Sequence, residues 1–143
     1  MIPLPVQPHL PGRNARPDPA LFAPVIAGLE GLDAAELEKS PAFAAGFGAF
    51  GAGFYWEAHE FWEAVWAALP PASAERQVLR GLIQLANAGL KRRMGREVAA
   101  ARILVLADAA LGEGFGGGRG RVMGVERETV AAMRAQVAPQ NAI

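Results

Sequence analysis

The chain contains no cysteine. That excludes disulfide staples, thiolate zinc sites and cysteine nucleophiles, and it suits a reducing compartment. Net charge is also absent, because 14 Lys and Arg balance 14 Asp and Glu, and no bulk field favours nucleic acid or an anionic membrane. Long apolar runs are missing. The most apolar stretches, Leu82–Leu90 and Ile103–Leu111, fall far short of the ~20 residues that span a bilayer. Met1–Pro8 has no basic segment and is broken by prolines, unlike a secretory leader. The expectation is a soluble, cytoplasmic protein with neither a membrane nor a nucleic-acid partner. No stretch alternates with period two, and no internal repeat occurs.

What is present suits one folded domain: 143 residues, 52% apolar and 20% charged. Residues 1–19 form a proline-rich arm, extended because proline fixes φ and removes amide donors. A helical bundle is expected over 20–111, a glycine-rich linker over 112–120, and a C-terminal helix and tail over 121–143. Asp18-Pro19 resembles an N-cap with proline at the first helical position, opening a helix over Pro19–Leu29. Asp33 caps a short helix, Ala34–Lys39, and Ser40-Pro41 opens another over Pro41–Ala52. Gly46, Gly48 and Gly51 lower helix propensity there and point to close packing on a neighbour. A third main helix, Phe54–Leu69, is stopped by Pro70-Pro71. Ser73 caps a fourth, which ends near Met94-Gly95. A fifth spans Arg96–Leu111, and a weaker last helix spans Val125–Val137. The fold class is all-α, a compact bundle of about five to six helices with an extended arm.

The helix Phe54–Leu69 concentrates the chemistry, since it holds Glu57, His59, Glu60, Glu63 and all three tryptophans. At 100° per residue Phe54, Tyr55, Ala58, Phe61, Trp62, Val65, Trp66 and Leu69 share one arc. His59, Glu63, Trp56, Glu60 and Glu57 fill the opposite arc. A solvated acidic face is the ordinary explanation. Trp56 resists it, because exposure would waste a large apolar surface. Ala64 and Ala67 leave room for another helix to approach. The expectation is therefore that the Trp56 side faces protein, with carboxylates that need partners. On the fourth helix Gln77, Arg80, Gln84, Asn87 and Lys91 form a polar row. A pair between Glu60 or Glu63 and Arg80 or Gln84 would fix the register of two antiparallel helices or floor a pocket.

The run Gly53-x-Tyr55-x-Glu57-Ala58-His59-Glu60-x-x-Glu63-x-x-Trp66, followed by Gly81-Leu82-Ile83-Gln84-Leu85-Ala86, resembles small bacterial and archaeal helical proteins grouped as domain of unknown function 309. The resemblance covers about Ala42–Leu111. Arg16-Pro17-Asp18 and Leu21-Phe22 are similar to an extension found in proteobacterial members. The resemblance implies a compact helical bundle whose characteristic polar residues are Glu57, His59, Glu60, Glu63 and Gln84. The family has no established biochemical role. Many members have histidine where this chain has Lys91, so a metal site relying on that imidazole does not carry over.

His59-Glu60-x-x-Glu63 invites comparison with the His-Glu-x-x-His helix of zinc proteases, but Glu63 stands where the second histidine would be. A His59/Glu63 pair would need a third ligand, such as Glu60 or Gln84, to hold a divalent ion. The Glu-x-x-His pairs of di-metal bundles are absent. His9 lies in the arm and is not expected to be a ligand. A histidine hydrogen-bonded to Glu63 or a backbone carbonyl is the ordinary alternative. Glu60 and Glu63 would raise each other's pKa if enclosed together. Ser40 and Ser73 are accounted for as caps, which leaves no clear nucleophile. Lys91-Arg92-Arg93 with Arg96 complements a helix dipole. The glycine run Gly112–Gly120 lacks the ending of a phosphate loop. Two functions follow as expectations. The first, which leans away from an enzyme and requires no cofactor, is a non-catalytic domain binding a small ligand or protein partner, a homodimer included. The alternative is a metal- or carboxylate-dependent hydrolase centred on His59, Glu60 and Glu63. Tyr55, Trp56 and Trp66 flank either site.

Overall fold

Local capping chemistry sets most of the helix starts. The computed structural model describes residues 2–139, and Met1 and tail residues 140–143 lie outside the described residues. Asp18 accepts the Ala20 N–H and opens a 3-10 turn, Pro19–Leu21. α1 is a single turn, Ala23–Ile26. A reciprocal capping box between Asp33 and Glu36 starts α2, Ala34–Glu38. Ser40 caps α3, Pro41–Gly51. α4 spans Tyr55–Ala68, and Ser73 caps α5, Ala74–Arg93. α6 spans Glu97–Gly114. A short antiparallel hairpin follows, β1 Arg121–Val122 with β2 Val125–Glu126, and leads into α7, Arg127–Val137.

Three elements differ from expectation. No continuous helix covers Pro19–Leu29, because Ala27 turns extended and Gly28 has φ +75°. α6 continues past Leu111 to Gly114, into what the sequence presents as linker. Gly114 is buried against α5, where a Cβ would lie 2.9 Å from the Val78 backbone nitrogen, so packing outweighs the poor helix propensity of glycine. The last helix begins at Arg127 rather than Val125, since Val125 and Glu126 pair in the hairpin. Met123 and Gly124 both have positive φ at its turn, 54° and 71°, as a type I′ turn requires.

α5 is the central element and packs against α4, α6 and α7, while α3 packs on α4. Phe50, Phe61, Trp62, Leu79, Leu82 and Leu85 are fully buried between them. Two glycines permit this spacing. A Cβ at Gly46 would overlap the Trp62 indole, and one at Gly81 would overlap the Leu111 side chain. Gly48 receives Ile2 of the arm, whereas Gly51 faces open space, so only part of the α3 glycine set serves packing. The described chain is all-α apart from the hairpin, and no helix in it is long and apolar enough to cross a membrane.

Candidate functional site

The Trp56–Glu57 end of the acidic side of α4 is covered by the N-terminal arm. Residues 8–14 fold into a turn around Asn14, whose Oδ1 accepts the Leu10 N–H at 2.9 Å and whose Nδ2 donates to the Pro8 carbonyl at 3.0 Å. The same Oδ1 lies 2.9 Å from His9 Nδ1. An amide oxygen only accepts, so Nδ1 is the donor in this contact. This turn directs the His9 backbone N–H at Glu57 Oε2, 2.9 Å away. The His9 ring meets Trp56 edge-on at 4.8 Å, and Arg16 lies 5.4 Å from the same indole. Phe22 flanks it as well, at 6.1 Å. Trp56 is left 8% exposed and Glu57 0%. The expected covering of this face therefore holds for these two residues. What covers it is the arm rather than another helix.

Glu57 sits in the first turn of α4, where exposed N–H groups favour an anion. Its Oε1 is nonetheless buried without a hydrogen-bond partner among the described residues. Burial pushes the Glu57 carboxyl above its ordinary value of 4.5, and the His9 N–H opposes the shift. The folded state then binds the Glu57 proton more tightly than the unfolded chain does. The stability linked to this group is complete in acid and is lost as pH rises through the raised folded value. Wild-type stability should therefore decline more steeply with pH than that of Glu57→Gln, which cannot ionise. Urea denaturation at several values between about pH 4 and 8 measures the difference. Parallel curves would mean that Glu57 titrates as it does in the unfolded chain.

The rest of the motif is bonded locally only in part, since His59 Nδ1 is buried without a hydrogen-bond partner among the described residues. His59 Nε2 lies 2.6 Å from Glu63 Oε2 one helical turn on, and Nδ1 lies 3.5 Å from Glu60 Oε1. Glu63 is exposed, so Glu60 and Glu63 are not enclosed together. A metal on His59 Nε2 would displace or share the Glu63 bond. Among the described residues no three His, Asp or Glu side chains converge to hold an ion. The proposed bridge to α5 does not form. Among the described residues no hydrogen bond or ion pair joins Glu60 or Glu63 to Arg80 or Gln84. Arg80 is exposed and Gln84 accepts from Asn87 at 3.3 Å. The reason is that the buried faces of α5 are already occupied by α4, α6 and α7, which turns Arg80 outward.

Residues 43–103, from α3 into α6, match the family model described as Domain of unknown function (DUF309). This segment is a DUF309 domain. No curated protein and no solved structure matches the chain. Glu57, His59, Glu60, Glu63 and Gln84 fall inside the DUF309 segment, whereas His9, Asn14 and Arg16 lie outside it. Arg16 belongs to the Arg16-Pro17-Asp18 stretch that carries a resemblance of its own, whereas His9 and Asn14 carry no motif, and the sequence signal for their role is a tryptophan placed among acids.

The flanking aromatics of the DUF309 segment have separate duties. The Tyr55 hydroxyl accepts from Gln136 of α7 at 2.9 Å, and Gln136 also donates to the Phe50 carbonyl at 2.8 Å. Trp66 is capped by the Arg76 guanidinium at 4.1 Å. Cavities lie elsewhere. One of about 430 Å³ sits between the end of α6 and α7, and one of about 510 Å³ lies beside Ala64 and Ala67, where the sequence left room for a helix. Two smaller ones, about 220 and 260 Å³, border Tyr55 and Ile2. None of these four is lined by Glu57, His59, Glu60 or Glu63.

Proposed function

We propose that this protein is a non-catalytic helical binding domain that pairs with a second copy of itself through the outer face of α6. The observation that carries this reading is the exposure of Val98, Val105 and Leu106, at 68%, 67% and 53%, on one helix. Val98, Val105 and Gly112 recur at heptad spacing, with Ala101 and Asp108 in the matching second row. This face is self-complementary. In an antiparallel pair with its two-fold axis at Val105, Val105 meets itself, Ala101 meets Ala109, and Val98 meets Gly112. Arg102, which has no ion-pair partner among the described residues, then meets Asp108 of the second copy, whose carboxylate already accepts two bonds from Arg134 of its own chain and would be shared between the two arginines. Small residues allow close approach, and the charges select the antiparallel register. The bonds from the arm to Glu57 Oε2 and from His59 Nε2 to Glu63 support a non-catalytic reading, since these two atoms have local uses.

Light scattering and sedimentation of the full chain over rising concentration test this. The expected result is a dimer whose dissociation constant rises at least about tenfold in Val105→Lys. Arg102→Asp should weaken it, because it sets a carboxylate opposite Asp108 of the second copy. A wild-type monomer at every concentration would sink the proposal.

A further inference from the structure

We propose that the cavity between the end of α6, the glycine loop and α7 binds an amphipathic monoanion, a carboxylate head on an apolar body. This goes beyond the pairing of α6, because the cavity is formed within a single chain and shares only Gly112 with the pairing face. Its volume of about 430 Å³ falls within the ~300–1,000 Å³ of small-molecule sites. Leu111, Phe115 and Val130 form its floor, at 8%, 3% and 5% exposure, while Gly117, Gly118, Arg127 and Ala131 on its sides are exposed, so it is an open groove at the edge of the core.

Arg127 supplies the polar element. Its guanidinium lies 5.7 Å from the Phe115 ring centroid, and its Nη2 donates to the carbonyls of Phe115 and Arg119. Both acceptors are neutral. Among the described residues Arg127 has no ion-pair partner, and its Nε and Nη1 make no hydrogen bond. Arg127 is an exposed residue, and a permanently charged group held by two carbonyls at the rim of an apolar groove favours an anion over a neutral ligand. Arg134 also lines the cavity, but Asp108 holds it through two bonds of 2.7 and 2.8 Å. Of the two arginines that line the cavity only Arg127 is without an ion-pair partner among the described residues, which matches a single carboxylate head, while Arg119 bonds the Gly116 carbonyl from outside the lining. Gly116, Gly117 and Gly118 border the cavity without side chains and let a ligand approach the backbone.

Octanoate and 1-octanol share a chain length and differ in the head group. Titrated into the full chain below the micelle-forming range and followed by NMR, octanoate should bind at least about tenfold more tightly than 1-octanol. Amide shifts should centre on Gly116–Gly118 and Ala131. Arg127→Gln should weaken octanoate about tenfold and leave 1-octanol unchanged. Because Arg127 also holds two carbonyls, Ala131→Trp is the second variant. It fills the cavity from the exposed side of α7, leaves the arginine in place, and should abolish binding of both. Equal affinities in the wild type, shifts centred elsewhere, undiminished binding in Ala131→Trp, or no octanoate binding would each overturn the assignment.

Discussion

Replacing Gly46 with valine should cost the folded state about 3 kcal/mol. In an open helix the same change would remove a glycine and help slightly. Here any Cβ enters the Trp62 indole, which is fully buried. The ring cannot step aside cheaply. Its Nε1 donates to the Phe43 carbonyl at 3.2 Å, and Phe47 and Phe50 lie 5.1 and 5.9 Å from it. α3 and α4 must separate instead, and dense interiors resist that. Gly51 provides the control, since it faces open space in the same helix, and Gly51→Ala should be neutral or stabilising by up to about 1 kcal/mol. Urea denaturation measures both, and Trp62→Leu in the Gly46→Val background should recover part of the loss. A Gly46→Val protein as stable as wild type would show that the two helices are not held at this distance.

Trp56→Ala should lose about 3 kcal/mol and release the arm. The indole is the surface on which His9, Arg16 and Phe22 converge. Without it the His9–Glu57 bond loses its shelter from water. Trypsin should then cut after Arg13 faster in the variant than in wild type, where Arg13 is tethered to the Met94 carbonyl at 3.1 Å. Trp56→Phe should retain most of the wild-type protection, because it keeps an apolar ring for the arm. Unchanged cleavage together with a stability loss below about 1 kcal/mol would mean that the arm is held by something else.

Caps were legible because their chemistry is local. Asp18, Asp33, Ser40 and Ser73 bond within three residues of themselves, so the sequence alone reveals them. Pro70-Pro71 is equally self-contained. The end of α6 was not legible, because Gly112 and Gly114 read as a break until Val78 is seen packed on the latter. The hairpin escaped notice because strands of two residues are too short to alternate. For the site, the covering of Trp56 was foreseeable from one aromatic among acids. The identity of the cover was not, since a backbone N–H has no residue signature. Arg80 misled for the opposite reason: a polar row on a helix looks the same whether it meets a neighbour or water.

Both flanking segments close on the junction of α3 and α4. His9 reaches Glu57 across 48 positions, and Gln136 reaches Phe50 and Tyr55 across 86 and 81. The helices between them are joined in sequence by short connections and can collapse with little loss of chain entropy. The arm and α7 gain nothing from ordering until that collapse has built their landing place. The expected order therefore has the arm and α7 locking last, so that a slow step in refolding should report their closure rather than helix formation.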